Sequence, residues 1–165
     1  MLHNLLKGLD DKALIGAADA HCDIPCGIYD PAPALIAALS VVRLMDIMHE
    51  AAGKDGDAVG KHNVISRCVL RKEEEAEKVK HEIRIIWGDY FKGPLLEKYP
   101  NIHTLAHNIM LKGSACKQEA HREDGEALVE LVNQFAEAFW DSKGKSTTRK
   151  ESPYAPAIPV VYPEL

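Results

Sequence analysis

The residues best suited to chemistry stand together in one short segment, residues 21–31, which reads HCDIPCGIYDP. If the chain begins at His21, the free α-amine, the deprotonated backbone nitrogen of Cys22 and the Cys22 thiolate form consecutive five-membered chelate rings. Such rings hold their donors in one plane. The Cys26 thiolate then fills the fourth corner, and the His21 imidazole is free to approach along the axis.

This donor set favours particular metals. Pro25 stiffens the turn between the two cysteines, and Gly27 accepts backbone conformations that other residues resist. A plane of two nitrogens and two sulfurs suits nickel or copper better than zinc, which prefers a tetrahedron. Thiolate and amidate donors push electron density onto the metal and stabilise its oxidised form. The segment therefore predicts one-electron redox chemistry.

Two simpler interpretations of the cysteine pair exist. A Cys-x3-Cys pair also fits an ordinary disulfide or half of a zinc site, although zinc needs two more ligands and the neighbouring sequence offers only His21. The other cysteines, Cys68 and Cys116, stand alone in helix-like segments, and we expect them to be reduced and half-buried. His103 and His107 are four apart and are expected to be a surface pair, because no third zinc ligand accompanies them.

Helical periodicity organises the chain that must position this segment. Apolar stripes at helical spacing predict an all-α fold, an antiparallel four-helix bundle with an irregular N-terminal metal hook. The charged run 72–75 is expected on a solvated face. The predicted helices span about 33–51, 62–87 and 101–117, and a fourth carries Leu128 to Phe139 and ends near Trp140.

The two ends of the chain differ from the middle. Residues 1–20 are predicted to be a propeptide that is removed, because residues 18–20 (Ala-Asp-Ala) resemble a cleavage site while the charges at 10–12 interrupt a secretion signal. We therefore expect a cytoplasmic protein. Residues 21–142 form the hook and bundle domain, and 143–165, which holds four prolines, is expected to be an extended or disordered tail.

Length and charge exclude several classes. The 165 residues fit one domain, and no run of 18 apolar residues predicts a membrane span. The formal net charge is −5, of which residues 1–20 contribute −1, and no basic stripe indicates a nucleic-acid partner. An acidic protein repels an anionic substrate at long range, so local positive charge must guide one.

Residues 21–31 resemble the nickel hook of the nickel superoxide dismutases, whose pattern is H-C-D-x-P-C-G-x-Y-D-P. Downstream, residues 87–92 (WGDYFK) resemble the family's W-x-D-Y-F-K segment, and residues 97–100 (EKYP) resemble its E-K-Y-P. Phe139-Trp140 falls where the family has a similar pair. The resemblance runs from about residue 21 to 143.

This resemblance implies a homohexamer of four-helix bundles with one nickel ion per subunit. It implies disproportionation of superoxide to oxygen and hydrogen peroxide, with nickel cycling between two and three plus. The ligands would be the His21 amine and imidazole, the Cys22 amide and thiolate, and the Cys26 thiolate. A maturation protease would remove residues 1–20.

The resemblance also implies roles around the metal. Tyr29 would sit over the open face and limit access to small molecules, and Asp23 would order the hook backbone through hydrogen bonds. Tyr90 and Lys92 resemble residues near the access channel. Lys92 either supplies positive charge for superoxide or is a plain surface lysine.

The sequence departs from the family at the axial histidine. A glutamate on the first helix and an arginine on the second orient this imidazole in the family, and these positions fall on Ala37 and Glu75 here. Either Glu75 accepts the hydrogen bond from His21 directly, or it belongs to a solvated acidic run and another group holds the ring.

Two other functions remain open at this stage. The same hook fits a nickel or copper carrier or sensor without turnover, and an oxidised Cys22–Cys26 bridge fits a helical interaction module without metal. While Ala20 is bonded to His21, the His21 nitrogen is an amide and cannot be an amine ligand. The uncut chain is therefore expected to be inactive and to bind nickel poorly.

Overall fold

The structure is a computed structural model that describes residues 27–165, so the predicted propeptide and residues 21–26 of the hook lie outside the described residues. The described chain is mostly helical, as predicted. A single π-helical turn, Ile86–Tyr90, continues the second helix. The other elements are α1 (Ala32–Gly53), α2 (Ala58–Ile85), α3 (Pro94–Lys98), α4 (Ile102–Gln118), α5 (Arg122–Ser142), β1 (Thr147–Glu151) and β2 (Pro159–Pro163).

Local sequence signals set where the first two long helices begin. The Asp30 carboxylate accepts a hydrogen bond from the backbone N–H of Ala32 at 2.7 Å, and a proline occupies the first turn of α1. Asp57 caps α2 by accepting from the backbone of Val59 and Gly60, the latter at 2.8 Å. The four predicted helices are confirmed, and most of their ends lie within a few residues of the predicted ends. The hydrogen bonds of Asp30 and Asp57 lie at the predicted breaks before the first two of these helices.

Apolar packing joins the helices. Helix α1 packs on α2 and α5, and α4 also packs on α2 and α5. Within residues 27–165, α1 is the one helix long and apolar enough to cross a membrane, yet eight of its residues are buried against the other helices. The largest fully buried side chains of the core include Phe135, Phe139, Met45, Ile83, Ile109 and Leu128.

Lys72 departs from the expected solvated run. It is only 2% exposed, and its ammonium donates to the backbone carbonyl oxygens of Cys116, Lys117 and Glu119. A cation at the unpaired carbonyl groups of a helix C-terminus is favourable, so Lys72 caps α4. Burial lowers the pKa of Lys72. The prediction was wrong at this residue because its carbonyl partners lie more than 40 positions away in sequence.

The C-terminal segment differs from the expected extended or disordered tail. Strands β1 and β2 pair antiparallel, with Thr148 opposite Tyr162, and Val160 and Val161 of β2 are buried with the helical core. The side chain of buried Asn133 on α5 donates to the Pro159 carbonyl and accepts from the Val161 N–H, both at 2.9 Å. Residues after 143 therefore share the core of the preceding domain.

Gly125 marks a close approach of α5 to α1. A Cβ at this position would lie 2.9 Å from a methyl of Val42 and 3.3 Å from the sulfur of Met45. We expect Gly125→Ala to lower the free energy of unfolding by about 1–2 kcal/mol, because the strain of overpacking exceeds the gain in helix propensity. Urea denaturation measures this difference.

Gly53→Ala is the matched control, because a Cβ at Gly53 meets no atom within 4 Å. This control should leave stability unchanged or slightly raised. Equal effects of the two substitutions would show that α1 and α5 do not meet closely at Gly125.

Candidate metal centre

The predicted ligands His21, Cys22 and Cys26, together with Asp23, lie outside the described residues. The structure describes the chain from Gly27, the residue that follows Cys26. It therefore shows the part of the protein to which residues 21–26 are attached. Gly27 has a φ of +89°, a left-handed conformation that favours glycine at the exit of the hook.

Tyr29 ties this exit to the core. Its ring centroid lies 5.8 Å from that of Tyr90, which in turn lies 5.0 Å from that of Phe139. The Tyr90 hydroxyl and the Ser142 hydroxyl share a hydrogen bond of 2.7 Å. The structure thus brings together two of the predicted site residues, Tyr29 and Tyr90, in a ladder of rings that ends on α5.

The π-helical turn presents Tyr90. Phe91, directly after the turn, is buried and stacks edge-on against Phe135, with ring centroids 5.5 Å apart. Trp87, at the start of the turn, donates its indole N–H to Nδ1 of His103 at 2.8 Å. Because Phe91 and Trp87 both fix the turn, the Tyr90 ring is held at the surface end of the core. Turns of this type often occur at functional sites.

Lys92 does not join this ladder. It is exposed, and its hydrogen bonds are made by the backbone: its N–H donates to the Tyr90 carbonyl at 3.0 Å, and its carbonyl accepts from the Leu95 N–H at 3.3 Å. A different cation, Lys143, covers the Tyr90 ring, with its ammonium 4.4 Å from the ring centroid. Sequence reasoning missed Lys143, although its position four residues after Phe139 places both on one face of a helical turn.

Glu75 lines an open groove between α1 and α2 that has a volume of about 400 Å³. The groove is shared with Ser40, Arg43 and Arg71 and with Tyr154 from the C-terminal hairpin. Glu75 is half-buried and has no hydrogen bond or ion pair within residues 27–165. Ala37, in contrast, is fully buried in the core, so its apolar side chain cannot orient an imidazole.

A second, smaller cavity of about 150 Å³ adjoins this groove. Asp30 of the hook motif lines the smaller cavity, and Ile36, Leu39 and Tyr154 line both spaces. The described end of the hook motif therefore borders a cavity that shares a wall with the Glu75 groove.

The described residues offer no competing metal site. Residues 27–165 contain no group of three or more histidine, cysteine, aspartate or glutamate side chains that could hold a metal. Cys68 and Cys116 are free and buried. Within residues 27–165, therefore, nothing competes with the donors predicted at residues 21–26, whose thiolates and nitrogens would fit nickel.

The comparisons with known proteins identify the family of the chain. A model of the nickel-containing superoxide dismutase family matches residues 16–143. The chain belongs to the nickel-containing superoxide dismutase family. It is 38% identical to "Superoxide dismutase [Ni]" of Streptomyces coelicolor and 40% identical to that of Streptomyces seoulensis, in each case over 75% of this chain and 88% of the relative.

Solved structures of the family share the fold. A native nickel superoxide dismutase structure is 36% identical, with a TM-score of 0.64, over 74% of this chain and 99% of that one. A nickel-containing superoxide dismutase with its ligation in the oxidised state gives a TM-score of 0.65 at 35% identity, over 75% and 99%. The C-terminal hairpin lies beyond residue 143, where the family match ends.

Burial keeps the two remaining cysteines out of this chemistry. Removal from water, with a smaller effect from the charge of Asp124, raises the pKa of Cys116 to about 11. We expect iodoacetamide at pH 8 to modify Cys116 at least about 100-fold more slowly in the folded protein than in the unfolded chain, because the thiolate is the reactive form. Mass spectrometry of quenched samples measures both rates, and comparable rates would contradict the buried placement of Cys116.

Proposed function

We propose that this protein, once it begins at His21, catalyses the disproportionation of superoxide to oxygen and hydrogen peroxide with one bound nickel ion per subunit. The observation that carries the proposal is the complete hook motif at residues 21–31 in a chain of this family. A bound nickel ion would supply one-electron redox chemistry at these residues.

Each predicted site residue has its own role around the nickel ion. The amine and imidazole of His21, the backbone nitrogen and thiolate of Cys22, and the thiolate of Cys26 hold the ion. Asp23 orders the hook backbone through hydrogen bonds. Tyr29 excludes molecules larger than superoxide from the open face, and its contact with Tyr90 supports this role because it fixes the ring beside the hook.

Maturation is part of the proposal. While Ala20 is bonded to His21, the His21 nitrogen is an amide. Its lone pair is delocalised into the carbonyl group, so the nitrogen is a poor metal ligand unless it is deprotonated. A maturation protease therefore creates a ligand when it removes residues 1–20. We place this event and the working enzyme in the cytoplasm, since Lys12 and Asp10-Asp11 interrupt the apolar core that a secretion signal needs.

For the architecture, we propose an antiparallel four-helix bundle of α1, α2, α4 and α5 that assembles into a homohexamer. The mutual packing of these helices supports the bundle. Apolar side chains that remain exposed support assembly, among them Ile36, Leu70 and Leu111, which are 53%, 61% and 57% exposed.

The decisive measurement compares two forms of the protein. Protein that begins at His21, reconstituted anaerobically with nickel, should dismutate superoxide, whereas the uncut chain treated identically should show no activity above free nickel. Stopped-flow decay of superoxide absorbance measures both. The uncut chain is the control, because it contains every side chain of the site.

Each other outcome has a defined meaning. Tight nickel binding by the trimmed protein without turnover would replace the enzyme by a carrier or sensor. Equal activity of the two forms would show that the His21 amine is not a ligand.

We further propose that Glu75 orients the His21 imidazole by accepting its hydrogen bond. A carboxylate that is half-buried and has no partner within residues 27–165 supports this role, as does the shared wall between the groove at Glu75 and the cavity at Asp30. A carboxylate partner fixes the ring and raises its basicity as a ligand.

Glu75→Gln should weaken axial ligation by the imidazole and lower kcat by about tenfold. The nitrogen hyperfine splitting in the electron paramagnetic resonance spectrum of the oxidised enzyme reports the ligation. Glu73→Gln makes the same charge change on an exposed neighbour and should alter neither quantity. An unchanged spectrum and kcat in Glu75→Gln would assign Glu75 to the solvated acidic run.

A further inference from the structure

Backbone hydrogen bonds at the end of α5 restrict the backbone position of Lys143. The Lys143 N–H donates to the Trp140 carbonyl at 3.0 Å, and the Lys145 N–H donates to the same oxygen at 3.0 Å. Gly144 between them has a φ of +69°, a left-handed conformation that commonly ends helices. These bonds fix the backbone from which the Lys143 side chain starts.

The side chain runs back over the last turn of the helix onto two aromatic rings. The Lys143 ammonium lies 4.4 Å from the centroid of Tyr90 and 5.6 Å from that of Phe139. Attraction between the cation and the ring faces holds the ammonium there. Lys143 is exposed, so its charge also acts on ions in solution.

No carboxylate neutralises this charge within residues 27–165. The nearest acid in sequence, Asp141, is engaged by the Lys98 ammonium at 3.1 Å and by the Tyr99 hydroxyl. Other lysines such as Lys112 are paired, in that case with Asp124 at 2.7 Å. Lys143 therefore differs from these lysines. Its partner is an aromatic ring, which does not neutralise its charge.

The position of this cation relates it to the metal centre. The Tyr90 ring contacts both Lys143 and Tyr29, and Tyr29 is three residues from the predicted ligand Cys26. A charge acts over about 8 Å at physiological ionic strength before salt screens it. The chain as a whole carries a formal charge of −5, which opposes an anion at longer range.

We propose that Lys143 is the residue that steers superoxide to the metal centre, drawing the anion towards the Tyr29–Tyr90 face. This inference rests on the proposed dismutase function. Lys143 raises the local concentration of the anion and does not bind the metal. Lys92, the candidate cation that the family resemblance pointed to, does not lie over the Tyr90 ring and is the alternative that the experiment compares.

The test uses nickel-loaded protein that begins at His21. Lys143→Gln should lower kcat/KM for superoxide about three- to tenfold at low ionic strength and flatten its dependence on salt. Lys143→Arg should retain most of both, since it keeps the charge. Lys145→Gln removes the same charge two residues away and should leave kcat/KM nearly unchanged, as should Lys92→Gln.

A second readout does not depend on turnover. In nuclear magnetic resonance spectra of the metal-free protein, the ε-methylene protons of Lys143 should lie upfield of those of Lys145, because they sit over the rings of Tyr90 and Phe139. Lys143→Gln identifies the signal. Equal positions for the two lysines would overturn the placement of the ammonium.

The outcomes separate the two proposals. If the unsubstituted nickel protein does not dismutate superoxide, the proposed function fails. If it is active, and Lys143→Gln matches Lys145→Gln in rate and salt dependence, the steering role alone fails. A loss confined to Lys92→Gln would transfer the role to Lys92 and overturn the proposal.

Discussion

The contact between the rings of Tyr29 and Tyr90 joins the described end of the hook segment to the helical core, and the proposed metal centre depends on it. On the core side, Tyr90 packs on Phe139, whose ring is fully buried. On the hook side, Tyr29 stands three residues from Cys26. Aromatic pairs combine a large apolar area with preferred angles, so they fix both position and orientation. The Asp30 cap of α1, one residue further on, sets where the chain changes from irregular hook to helix.

The helices were predictable because each depends on residues close in sequence. An apolar stripe repeats every three or four residues, and short acidic side chains or glycines mark the ends. Lys72 and the C-terminal hairpin were not predictable in this way. Lys72 is buried because it meets the carbonyl groups at the end of α4, and the hairpin is ordered because Asn133 bonds to β2. Both depend on contacts between segments that local patterns do not bring together.

The candidate site likewise combines features that the local sequence predicts with features that depend on distant segments. The chemistry proposed for His21, Cys22 and Cys26 could be predicted from the sequence because these residues lie within six positions and the chelate rings of His21 and Cys22 follow from covalent geometry. The surroundings are assembled from distant segments, as Lys143 over Tyr90 illustrates. The family resemblance pointed to Lys92, either as a cation that attracts superoxide or as a plain surface lysine. The fold instead places at Tyr90 a cation from the end of α5.

The grouping of the proposed donors in one short segment would allow the chain to differ from its family at the axial histidine and still keep the hook motif. If His21, Cys22 and Cys26 hold the nickel, their own arrangement would not depend on which helix residues face the imidazole. The imidazole ring needs only a hydrogen-bond acceptor within reach. Loss of a group that bonds to a metal ligand, and not to the metal, typically changes metal affinity or rate by about 10- to 100-fold and does not abolish the site. Ala37, fully buried, instead packs in the core. Glu75, half-buried beside the groove, has the carboxylate that Ala37 lacks, so one acceptor on α2 is able to take the place of two residues on two helices.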